Sequence, residues 1–283
     1  MVFRTYLEEC VASSEACALA TSNSTSAAAD LERAVYNLLS DLRREPMVQN
    51  GTILTHTMVR FVIRLSLYAP SSYPALAKAL SSLLSGDPEP IIKLHNGLAG
   101  NIAGEDTTDA AFGIHCGDKK SGVTTLEDAM PGLHELQETS RLLGQMGGIN
   151  LACAQWKYTA KERYEGDFQV KTRSPVFLIG GSYDGATALR NAFNMSAGFE
   201  GSAVLEHGGF GVSLTFLSSS LIPSELTVVP QHGITAHGSV CTGKAMQAYF
   251  RDGTLPESGT RCEADSSPFG ESSWEALYEE LGW

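Results

Sequence analysis

Between Pro175 and Gly253 the sequence switches between two periodicities in a fixed order. "PVFLI" is a compact apolar run with proline at its first residue and glycines behind it, which suits a strand buried in a parallel sheet. "ATALRNAFNM" then reads as a helix, "GSAVLEH" as a second strand, and "TGKAMQAYFRDG" as a second helix closed by Gly253. Strand, helix, strand, helix with connections of this length is βαβ logic. Two strands are too few for a stable sheet, so this stretch reads as the last strands of something larger.

From 26 to 150 the pattern is helical. Leu31, Val35, Leu38, Leu39 and Leu42 recur at spacings of three and four, and Pro46 ends that run. A second helix is predicted over about 55–68, with Met58, Val59, Phe61, Val62 and Leu65 ahead of Pro70. A third opens at Pro74 and closes at Gly86 with Leu76, Leu80 and Leu83 inward. A fourth, over 131–144, opens at Pro131 and carries Leu133, Leu136 and Leu143. "GDPEP" and "GEDTTDAAFG" read as polar loops between them.

Charge and composition exclude several partners. The net charge is −12 and no Lys/Arg cluster is longer than a pair such as Arg43-Arg44, so neither nucleic acid nor an anionic membrane has an electrostatic footprint. The longest uncharged apolar run, "GVSLTFLSSSLIP", is too short and too serine-rich to span a bilayer. Residues 1–20 carry three glutamates where a signal peptide would be apolar. Against this, six cysteines fall as three local pairs, Cys10/Cys17, Cys116/Cys153 and Cys241/Cys262, which argues for an oxidising compartment. No CxxC or His/Cys spacing suggests zinc. Three N-x-[ST] sequons, at Asn23, Asn50 and Asn194, lean toward secretion.

The stretch "LIGGSYDG" at 178–185 concentrates the candidate chemistry. A G-x-S-x-G elbow would make Ser182 a nucleophile on a strand-to-helix turn. Gly180 meets its first requirement, but Asp184 stands where the second glycine should be. A second reading makes Asp184 the orienting acid of a triad, on the loop after a late strand, with Ser182 as a loop residue. A third has Asp184 capping the helix that starts near Ala186. The downstream histidines are His207, His232 and His237, and composition alone does not choose among them.

"CAQWKYTAKERYEGDFQVKTRSPVFLIGGSYDGATALRNAFNMSAGFEGSAVL" and "HGSVCTGKAMQAYFRDGTLPESGTRCEADSSPF" resemble the C-terminal region of secreted α/β-hydrolases of the tripeptidyl-aminopeptidase-like group, the fungal members in particular. Upstream, "FRTYLEECVASSEACALA" and "FGIHCGD" resemble parts of that family's helical lid. The resemblance implies an α/β chain carrying a partial α/β-hydrolase fold: a helical lid over 1–172, then over 173–283 the last strands and helices of a doubly wound sheet. It implies acyl transfer by a Ser-Asp-His triad on peptide N-termini or small esters and amides, with no metal or organic cofactor. Asp184 falls on the family's acid, with Gly185-Ala186-Thr187-Ala188 where P-V-T-P is usual. The catalytic histidine of the family lies nine residues before the cysteine of an S-x-C motif, which selects His232 here. His237 then matches a non-catalytic position and is expected at the surface. The resemblance also pairs the cysteines as 10–17, 116–153 and 241–262.

Two departures qualify the resemblance. It begins at the lid, and the chain contains no G-x-S-x-G. The expectation is that Met1 is an internal methionine, that the nucleophile lies upstream, and that this chain alone is inactive. Second, Gly209-Phe210-Gly211 is separated from His232 by the 20 residues 212–231, whose removal restores "GGFGHGITAHGSVC". The insert begins with valine, whose codons start GT, and ends with glutamine, one of whose codons ends AG, so we read it as a retained intron; a true loop insertion is the alternative. Two other functions stay open: a non-enzymatic helical interaction module, and Ser182 as an atypical nucleophile.

Overall fold

The computed structural model describes residues 2–21, 27–103, 108–118, 125–142, 144, 152–154, 156–158, 160–211, 236–270 and 279–282. The insert 212–231 and His232 lie outside the described residues. The chain divides into two compact units, Met1–Ala99 with Asp167–Trp283, and Gly100–Gly166.

In the larger unit the three helices read from apolar spacing form where expected, and two further helices precede them. Helix α1 (Val2–Ala12) buries Phe3, Tyr6, Leu7 and Cys10, and short α2 is Ala18–Thr21. Helix α3 (Ala28–Arg44) buries Leu31, Val35, Leu39 and Leu42 along one stripe. Strands β1 (Met47–Gln49) and β2 (Thr52–Leu54) then form an antiparallel hairpin that the helical reading of this region overlooked. Its signal is present in the sequence: Asn50-Gly51, the dipeptide most suited to a two-residue hairpin turn. Helix α4 (His56–Ser66) is capped by Thr55, whose hydroxyl accepts from the Met58 N–H, and helix α5 (Tyr73–Leu84) buries Leu76, Leu80 and Leu83 as expected.

Three boundaries differ from the sequence reading. "GDPEP" is only partly a loop, because the Asp87 carboxylate accepts from the Glu89 N–H and starts helix α6 (Glu89–Ala103). "GEDTTDAAFG" likewise runs into helix α7 (Thr108–Asp118) in the smaller unit. Helix α8 (Leu126–Thr139), in the same unit, does not open at Pro131 but contains it. A capping box between Thr125 and Asp128 starts that helix five residues earlier, so Pro131, which lacks an N–H for the helix ladder, falls inside it.

The strands lie in the larger unit as a parallel sheet of order β3-β4-β5, formed by β3 (Phe177–Tyr183), β4 (Ala203–Phe210) and β5 (Arg261–Glu263). β3 does not stop at "PVFLI": it runs through both glycines and Ser182, so Ser182 is a strand residue rather than a loop residue. The short β5 is the third strand that a two-strand reading lacked. Helix α9 (Leu189–Ser196) links β3 to β4, and helix α10 (Val240–Asp252) ends at Gly253 in the left-handed region, as predicted. This is a mixed helix and strand chain with a parallel sheet, consistent with a partial α/β-hydrolase fold.

The helices and the sheet of this unit share one aromatic core. Tyr6 lies edge-on to Tyr73 at 4.9 Å between ring centroids, and Tyr73 edge-on to Phe210 of β4 at 6.1 Å. Phe210 stacks on Tyr183 of β3 at 4.4 Å. The three disulfides join Cys10 to Cys17, Cys116 to Cys153 and Cys241 to Cys262. No helix among the described residues is long and apolar enough to cross a membrane.

Candidate functional site

Asp184 directly follows the C-terminal end of β3. One carboxylate oxygen accepts from the main-chain N–H groups of Ala186 at 2.8 Å and Thr187 at 2.7 Å, and the other accepts from the Thr187 hydroxyl. The acid therefore organises the turn that leads into α9, which begins only at Leu189. A cavity of about 400 Å³ is lined by β3 from Phe177 to Gly181, by Asp184, Thr187 and Asn191, and by Gly209 and Gly211. The acid loop and the end of β4 thus border one cavity, which also runs back along β3 to Phe177 beside the following helix.

Close packing makes that geometry possible. A Cβ on Gly180 would meet Leu189 Cδ1 at 2.6 Å and Ala192 Cβ at 3.1 Å, so glycine lets α9 lie against β3. Gly211 has φ +108°, and a Cβ there would meet Ala236 Cβ and the Tyr68 carbonyl, each at 2.7 Å. Only glycine fits at the end of β4 without strain.

Ser182 is not placed as a nucleophile. Its hydroxyl donates to Glu206 Oε1 at 2.7 Å, with the His207 carbonyl 3.2 Å away, and Arg261 holds the same glutamate. Glu206 lies inside β4, as the sequence reading expected.

His207 and His237 are each 1% exposed, which overturns the expectation that His237 is a surface residue. His207 Nε2–H donates to the His237 carbonyl at 3.0 Å, leaving Nδ1 to accept from the Thr242 hydroxyl at 2.9 Å. The Phe210 N–H donates to His237 Nδ1 at 3.2 Å, leaving Nε2–H for Ser266 Oγ at 3.3 Å. Burial lowers the pKa of both rings; His237 is pushed down to about 4, and His207 falls despite the opposing bond to the His237 carbonyl. Both imidazoles are neutral and accept at Nδ1. A triad base must donate from Nδ1 to its acid, so neither ring is arranged for that role. Sequence reasoning missed this buried network. Its one visible signal is His207 within the apolar strand pattern "AVLEHGGF".

Among the described residues, no group of three or more His, Cys, Asp or Glu side chains is placed to hold a metal ion.

Residues 141–262 match the family model of TAP-like protein. The match covers β3, β4, α9 and α10, the stretch that holds Asp184 and the cavity, and it gives this region a likeness to an α/β-hydrolase family. No curated protein matches the chain.

Proposed function

We propose that this chain supplies the acid and the base of a Ser-His-Asp hydrolase similar to the secreted tripeptidyl-aminopeptidase-like enzymes. Asp184 is the acid that fixes the histidine tautomer and stabilises the imidazolium, and His232 is the general base and acid. The attacking serine lies outside these 283 residues, which contain no G-x-S-x-G, and the chain alone is inactive. The substrates are peptide N-termini or small esters and amides, and the work is done in a secreted setting.

The observation that carries this reading is the shared cavity: Asp184 at the end of β3 borders the same space as Gly211 at the end of β4, and His232 follows Gly211 along the chain. The alternatives within reach are weaker, because Ser182 faces a carboxylate and His207 and His237 hold the wrong tautomer. Removing residues 212–231 would set His232 directly after Gly211.

The test uses a tripeptide anilide substrate and a fluorophosphonate probe. The chain and its form lacking 212–231 are each assayed alone and co-expressed with the upstream coding segment that contains G-x-S-x-G. Hydrolysis is expected only from the shortened form with that segment, and Asp184→Asn or His232→Gln should lower kcat/KM by roughly 10⁴. Labelling of the chain alone at Ser182, or unchanged activity in both variants, would overturn the proposal.

A further inference from the structure

The β1–β2 hairpin pairs Met47 with Leu54, Val48 with Ile53 and Gln49 with Thr52. Asn50 and Gly51 join the strands with φ of +49° and +78°, the two left-handed residues that a tight hairpin turn requires. Asn50 is exposed at the tip. Leu54 is fully buried, whereas Val48 and Ile53, directly opposite each other on the other face, are 68% and 58% exposed. A projecting turn thus carries an uncovered apolar pair beside it.

Asn50-Gly51-Thr52 is also an N-x-T sequon, in a chain whose six cysteines are all joined in disulfides. The other sequons are less well presented. Asn194 lies within α9 and its Ser196 hydroxyl is engaged with Ser202 Oγ at 2.7 Å, while Asn23 lies outside the described residues.

We propose that Asn50 is an N-glycosylation site whose oligosaccharide covers Val48 and Ile53. The donor class is a polyprenyl-diphosphate oligosaccharide. The Asn50 Nδ2–C1 bond forms as the C1–O bond to the diphosphate breaks, the diphosphate leaves with the bonding pair, and Nδ2 gives up one proton. This assignment is independent of the triad, since glycan mapping reads nothing about hydrolysis.

The experiment expresses the full chain behind a secretion signal in a glycosylating eukaryotic cell and recovers it from both medium and lysate. Peptide-N-glycosidase in heavy-oxygen water marks each occupied asparagine for mass spectrometry. The expected result is a marked Asn50, one glycan step lost on gels in Asn50→Gln, and the same loss in Thr52→Val, which keeps the turn and the β-branched strand residue. Unmodified Asn50, or sugar only at Asn194 or Asn23, overturns the site. Removing the glycan from the folded protein should raise self-association in light scattering, and Val48→Thr with Ile53→Thr should cancel that rise. Unchanged scattering overturns the covering role.

Discussion

The main-chain N–H of Phe210 donates to Nδ1 of His237 across 3.2 Å. That bond ties the end of β4 to the residue three positions before α10, and it requires an unprotonated Nδ1. Protonating His237 turns an acceptor into a donor facing another donor, in a site that water does not reach.

Stability should therefore fall with acid. The folded pKa of His237 is depressed to about 4 from the ordinary 6.5, so the unfolded chain binds more protons between those values. The contribution is fully present above about pH 6.5 and is lost as the pH falls toward about 4. It is on the order of 3 kcal/mol for His237, with His207 adding in the same direction. Urea midpoints measured across this window should decline in the native chain. His237→Asn keeps an acceptor for the Phe210 N–H without titrating, and its decline should be shallower; an equal slope would remove His237 as the cause.

Two glycines bordering the cavity should be unusually sensitive. Gly211→Ala combines a left-handed backbone with contacts to the Tyr68 carbonyl and Ala236 that cannot move aside easily. A loss of about 2–4 kcal/mol is expected in denaturant unfolding. Gly180→Val should lose about 1–3 kcal/mol by prising α9 from β3. Wild-type stability in Gly180→Val would mean that this helix and strand are not packed as described.

The two jobs of Asp184 can be separated. Asp184→Ala removes the acceptor for the Ala186 and Thr187 amides and should cost about 1 kcal/mol in thermal or urea unfolding. Asp184→Asn keeps an oxygen for both amides and should cost a few tenths of that scale. If the carboxylate also serves the proposed triad, the asparagine variant of the assembled enzyme folds normally and turns over slowly. A variant that is stable and fully active leaves only the turn-organising role.

The sequence was most informative where period and punctuation agree. α3 and α5 show their apolar stripes and their stops, Pro46 and Gly86, in the letters themselves, and α10 shows its stop at Gly253. It was least informative where a tertiary neighbour decides. Gly180 and Gly181 look like the start of a loop, yet β4 alongside and α9 above keep them in a strand. The capping box at Thr125 is a helix start written in the sequence, while Pro131 is as compatible with a first turn as with the interior position it occupies. Burial of His237 had no local signal, because the surrounding "ITAHGS" is mixed in character and the partners Phe210 and Ser266 are distant in sequence. Asp184 was legible as an acid after a strand, and the structure adds the bonds that hold it.

The aromatic core has a consequence for synthesis. Tyr6 lies 5.5 Å from Phe269 between ring centroids, and Ser13 Oγ meets Ser267 Oγ at 3.1 Å. During translation α1 leaves the ribosome long before these partners do. Its apolar stripe has to wait, held by α3 and α5, until Phe269 arrives. Chaperone occupancy should accordingly be greatest on nascent chains that carry α1 but have not yet reached Phe269, and release should follow the emergence of that one ring.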